Sequence, residues 1–136
     1  MKSMKGIIIF SLILSLFLPI ISSAKGGMGD VHIHVAEFTG YYCANNAMEG
    51  GYKDVSGNWL DPSEWTVAAP DKIPLGSIIT IGGTGNWRDG CSYTVTDRGG
   101  SIIVDDDGVY HIDILMASKE QANKFGRVRG YIIVKE

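Results

Sequence analysis

The chain has too little cysteine for a disulfide-dense scaffold, too little proline for a Pro-rich linker, and no excess of basic charge. Two of its 136 residues are Cys and four are Pro, and 12 Lys and Arg stand against 15 Asp and Glu for a formal charge of −3. No basic stripe is available to neutralise phosphates, which argues against nucleic acid as a partner. A polybasic segment that would hold an anionic membrane surface is missing too. No Walker loop, zinc signature, Ser/His/Asp order or Cys/His pair occurs, so neither a metal nor an organic cofactor is expected. Long helical periodicity is absent.

Only one long apolar run exists. Lys2 and Lys5 precede it, Gly6 to Ile21 form it, Pro19 interrupts it, and Ser22-Ser23-Ala24 follow. Positive start, apolar middle and small-residue end are the order of a secretory signal peptide, so residues 1–24 read as a cleaved leader. The run is shorter than the roughly 18–20 apolar residues a spanning helix needs, and no cysteine follows for lipidation. The expected product is Lys25 to Glu136, a single extracytoplasmic domain and a monomer, without a stable membrane anchor after cleavage. It carries about −5, because the leader removes two cations and no acid. In an exported chain, Cys43 and Cys91 read as a disulfide, a bridge that would add about 3–4 kcal/mol.

What is present is glycine, eighteen in all, and many short β-branched runs. Val31 to Phe38 alternates apolar and polar, the period of a half-buried strand. Further strands are expected at Trp65 to Ala69, Ser77 to Ile81, Cys91 to Thr96, Ser101 to Val104, Val109 to Ile112 and Tyr131 to Lys135. Turn signals separate them, among them Gly50-Gly51, Ser56-Gly57, Asp89-Gly90, Gly99-Gly100 and Asp107-Gly108. One short helix is expected near the C-terminus, opened by Ser118 with Gln121 as a capping box and stopped by Gly126. Its Ala122 and Phe125 would face the sheet. The pattern is that of a mainly β protein, a small barrel or sandwich.

Two carboxylates stand out. Asp97 closes the apolar run Tyr93 to Thr96 and enters Arg98-Gly99-Gly100. Asp113 lies between Ile112 and Ile114, a costly place for a carboxylate unless it is paired or hydrogen-bonded. Such acids suit glycosidic bond cleavage, which needs a proton donor at the leaving oxygen and help for positive charge on the sugar. Arg98 is placed to pair with either acid, and Gly99-Gly100 allow a tight turn or a close backbone approach. Tyr41, Tyr42, Trp59 and Trp87 lie in or beside loops, where rings either stack on sugars or pack. His32, His34 and His111 read as polar face positions rather than metal ligands.

Five blocks occur in order: Thr39-Gly40-Tyr41 with Trp65 to Ala68, Ile73 to Ser77, Thr96 to Ile102, Ile112-Asp113-Ile114, and Ala122 to Gly126. The series resembles the three-aspartate (3D) domain of bacterial cell-wall proteins. It is similar to the catalytic barrel of the membrane-bound lytic transglycosylase A family. More distantly, it resembles rare lipoprotein A-like and expansin-like domains, the latter through His111-Ile112-Asp113. The resemblance implies a six-stranded double-psi β-barrel acting on peptidoglycan glycan strands. It implies Asp113 as general acid/base, Asp97 as the aspartate of the Asp-x-Gly-Gly block, and Thr39, Tyr41, Arg98, Gly99 and Gly100 against substrate. Cleavage in that family leaves a 1,6-anhydro end. Ala69 stands where the family carries its first aspartate, with Asp71 two residues on. The run Asp105-Asp106-Asp107-Gly108 reads instead as an exposed hairpin turn. The expansin-like resemblance implies a module that binds or loosens polysaccharide without cutting it.

Overall fold

A computed structural model describes residues 29–44 and 51–135. The leader expected over residues 1–24 lies outside them. Among the described residues six strands and one helix follow in order: β1 (Val31–Tyr42), β2 (Thr66–Ala68), β3 (Ile78–Gly82), β4 (Ser92–Asp97), β5 (Tyr110–Met116), α1 (Lys119–Phe125) and β6 (Val128–Lys135). The strands close into a barrel in the order β1-β5-β2-β4-β3-β6.

The pairing has an internal symmetry. β1 with β5 and β2 with β4 are parallel; the other four ladders are antiparallel. Exchanging β1, β2 and β3 for β4, β5 and β6 turns this pattern into itself. Each half therefore supplies one strand that runs parallel to the middle strand of the other, which is the double-psi arrangement. Closure leaves no unpaired edge, the hazard that a chain this rich in short strands must avoid.

The interior is filled by alternate residues of each strand. Ala36 and Phe38 of β1, Val67 of β2, Ile79 and Ile81 of β3, Tyr93 and Val95 of β4, Ile112 and Ile114 of β5, and Ile132 and Val134 of β6 are buried in one cluster. Gly130 is required where β6 crosses β3, since a Cβ there would lie 2.3 Å from the Gly82 carbonyl oxygen. The helix forms as its sequence dictates. The Ser118 side chain caps the Gln121 N–H, Gly126 ends the helix at φ 66°, and Ala122 and Phe125 pack on the core.

Three expectations change. At the start of β1 the alternation has the reverse phase: Val31, Ile33 and Val35 are the exposed set, Ile33 at 65%. There β1 pairs only with β6, and the inward phase is fixed further along by Ala36 and Phe38. Ser101 to Val104 is not a strand; only Val104 makes an isolated bridge, to Tyr110. Its neighbours form the turn that the aspartate run dictates, with Asp105 accepting from the Asp107 and Val109 N–H groups. The Cys43–Cys91 disulfide is not formed, and both thiols are free. Cys43 packs on a small cluster outside the barrel, whereas Cys91 packs on the barrel core.

Candidate functional site

The residues that alternate out of the barrel on β1, β5 and β2, with Asp97 at the end of β4, build the site. Register places Thr39 opposite Asp113, Asp113 opposite Ala68, and Ala68 opposite Asp97. The four form one row across four adjacent strands. A bulge in the β2–β4 ladder between Val67 and Ala68 brings Asp97 into that row. The acids flank a single small residue, two strand spacings or roughly 9–10 Å apart at Cα. In the barrel's symmetry Thr39 corresponds to Asp97, and Ala68 to Asp113. Ala68, the small residue between the acids, is itself buried.

Asp97 is buried at 7% exposure. Its Oδ1 accepts the N–H groups of Val55 and Arg98, both at 2.9 Å. Its Oδ2 accepts the Tyr41 hydroxyl at 3.3 Å. Burial holds the Asp97 carboxyl above the usual aspartate range, and the Arg98 N–H, the Val55 N–H and the Tyr41 hydroxyl pull it back only in part. Burial, then the negative charges of Asp97 and Asp113, keep the Tyr41 phenol strongly protonated, so it serves as a donor. Asp113 is half-buried and accepts the Thr39 hydroxyl at 3.0 Å on Oδ1.

Around the row, Tyr41, Ala68 and Leu115 form a second apolar cluster with Cys43, Leu60 and Ile102 against it. Leu60 comes from a turn-containing segment, residues 51–60, and this segment also aims the Val55 N–H at Asp97. Asp54 and Gly57 shape that turn, Asp54 accepting from Ser56 and Asn58 and Gly57 standing at φ 85°. Trp59 on the same segment is 72% exposed, with the Lys53 ammonium over its ring.

No family model matches this chain, and no curated protein is similar to it. The site therefore stands on its own geometry.

That geometry corrects one expectation of the sequence. The Arg98 guanidinium is turned to the backbone, donating to the carbonyls of Ala69, Pro70 and Ile73 at 3.0, 3.2 and 2.7 Å. It holds the loop after β2 against the start of the 98–104 segment, and Arg98 donates to Asp97 through its backbone N–H. Gly99 makes the expected turn, with the Ile102 N–H on its carbonyl and Ile102 close to where a Cβ would sit; Gly100 is open. Ala69 is fully buried in the barrel core, and Asp71 is exposed on the loop. His34 stacks on Tyr110, and His111 lies between Asp105 and Glu37. Val55 and Leu115 belong to the site without any sequence signal: one contributes a backbone N–H, the other is an ordinary strand residue.

A titration follows from the hydrogen bonds. By carboxyl ¹³C NMR, Asp97 is expected to titrate above Asp61, whose carboxyl is lowered by the Ser63 hydroxyl. Tyr41→Phe removes a donor that favours ionised Asp97, so its midpoint should rise further. The sign for stability is fixed by the same shift: with the folded value raised, the contribution of Asp97 is fully present below the ordinary aspartate value near 4. It is lost as pH rises through the higher folded value. A midpoint that falls in Tyr41→Phe overturns this account.

Proposed function

We propose that the domain is an extracytoplasmic enzyme that cuts the glycan strands of peptidoglycan by the lytic route. The observation that supports this most is the row itself: two carboxylates flanking one alanine, one of them raised by burial, on an outer wall of the barrel. It agrees with the resemblance carried by Asp97 and Asp113.

The two acids divide the work by access. Both oxygens of Asp97 are held by protein donors, so it is suited to orient substrate and tune its neighbour. Asp113 is half-buried and is suited to act as acid/base. Its proton passes to the glycosidic oxygen as the bond from the anomeric carbon breaks through an oxocarbenium-like state. The 6-hydroxyl of the same sugar then closes on the anomeric carbon and its proton returns to Asp113. No water is consumed, so the sugar ends as a 1,6-anhydro ring. Thr39 holds Asp113 in rotamer through its hydroxyl, a positioning role. No metal or cofactor takes part in this scheme.

Mass spectrometry of purified peptidoglycan treated with the protein tests the reading. Anhydro-muropeptides, one water lighter than hydrolysis products, are expected. Hydrated ends would make it a hydrolase. Retention on insoluble wall with no soluble product would sink the enzyme and leave the expansin-like binding module, a reading favoured by the exposed Trp59 beside the site.

A further inference from the structure

A second concave surface lies away from the acid row. It is a cleft of about 520 Å³ between the loop joining β3 to β4 and the helix α1, within the usual range for small-ligand sites. Asn86, Trp87 and Arg88 line one side; Gln121, Lys124 and Phe125 line the other. None of these residues belongs to the acid row. β4 begins near this loop at Ser92 and reaches the row only at Asp97, roughly 16 Å along the strand.

The loop is held in shape by its own polar groups. Asp89 accepts the N–H groups of Thr84 and Gly85 as well as the Thr84 hydroxyl. The Asn86 side chain accepts the Arg88 N–H. On this frame Trp87 is presented to solvent, 67% exposed. Trp65 meets its ring edge-on at 6.1 Å and itself stacks on Tyr93 at 5.5 Å. The Arg88 guanidinium lies 4.4 Å from the Trp87 ring centre and 5.9 Å from that of Phe125, with one Nη donating to the Tyr93 hydroxyl at 2.7 Å. An exposed indole with a guanidinium held over its ring offers a ligand an apolar surface and a partner for a negative group.

Charge narrows the ligand. Among the described residues the lining carries two cations, Arg88 and Lys124, and no carboxylate, although the chain as a whole is acidic. Amide side chains of Asn86 and Gln121 can exchange hydrogen bonds with hydroxyl or acetamido groups. We propose that this cleft is a second saccharide site, which takes a sugar bearing a carboxylate, with Trp87 as the stacking platform and Arg88 and Lys124 as partners of the acid group. It deepens the reading above, and rests on it only in taking that sugar to come from peptidoglycan.

The test is an NMR titration of the purified protein, following the Trp87 indole N–H and the amides of residues 121–125. Three probes are used: a disaccharide of N-acetylglucosamine and N-acetylmuramic acid with its free carboxylate, the methyl ester of that disaccharide, and a hexuronic acid disaccharide. The free acid should shift Trp87 and α1, and the ester should bind about tenfold more weakly, the loss of one charge-assisted hydrogen bond. Lys124→Gln, at an exposed position of α1, should weaken the acid by a similar factor, and Trp87→Ala should remove binding. Binding of the hexuronic disaccharide alone would keep the site and sink its link to peptidoglycan. Equal binding of acid and ester, or shifts confined to the Asp97 and Asp113 face, would overturn the proposal. Because the readout is binding at Trp87, an inactive acid row leaves the result unaffected.

Discussion

Asp113→Asn is expected to lower the release of soluble glycan by about 10²- to 10⁴-fold, the range set by removal of a general acid/base. The fold should survive. Asn keeps an oxygen for the Thr39 hydroxyl, and the site is half-buried rather than sealed, so the melting temperature should move by only a few degrees. Thr39→Val separates positioning from proton transfer. It removes the Thr39 hydrogen bond and keeps the carboxylate, and should reduce turnover by a smaller factor than Asp113→Asn. Thermal melts run beside initial rates of dye-release from labelled wall provide the check. Equal rates for wild type and Asp113→Asn, or a collapse of the fold in Asp113→Asn, would assign this acid a structural role only.

Arg98→Met should be the most damaging change for stability among the site residues. The guanidinium donates to three backbone carbonyls, and hydrogen bonds from a charged group contribute about 1.5–3 kcal/mol each. Met fills much of the volume and satisfies none of the carbonyls. Allowing for water reaching some of them, the loss should be on the order of 3 kcal/mol, or roughly 12–24 °C in melting temperature for a domain of this size. Denaturant melts are the measurement. Had Arg98 served mainly to pair with Asp97 or Asp113, Arg98→Met would instead spare stability and shift the pH profile of the proposed activity. A variant with wild-type stability would return Arg98 to that role.

Much of the architecture was legible because it depends on local signals. The six strands that form were each visible as short β-branched runs between turns, and α1 was visible through Ser118, Gln121 and Gly126. Their ends were less legible. β1 runs to Tyr42 and β5 to Met116, because the partner strand, not the run of apolar letters, decides where pairing stops. Ser101 to Val104 had the composition of a strand but pairs with β5 only through the isolated Val104–Tyr110 bridge, and so remains part of a loop. The phase of Val31 to Val35 was misleading for a related reason. Period two identifies a strand, but only the rest of the strand and its neighbours decide which face turns inward.

The two cysteines show the limit from another side. Export and an even count favour a bridge, yet proximity is a property of the fold, and Cys43 and Cys91 pack on different clusters. Asp97 and Asp113 were recognisable as acids embedded in apolar strands, with Thr39 beside them only through a resemblance. That they form a row with Ala68 between them required strand order and register, since β2, far back in the sequence, is inserted between the consecutive strands β4 and β5. Arg98 was legible as a cation next to an acid, and its actual partners were not, because backbone carbonyls leave no mark in a sequence.

The sequence by itself determined the strands, the helix α1, the turn chemistry and the identity of the two acids, all consequences of side-chain size, polarity and backbone preference within a few residues. Only the tertiary structure decided barrel closure, the burial that raises Asp97, the use of Arg98 as a backbone clamp, the separation of the thiols, and the cleft at Trp87. Each depends on which distant segments share a wall, and that is settled by the joint packing of six strands.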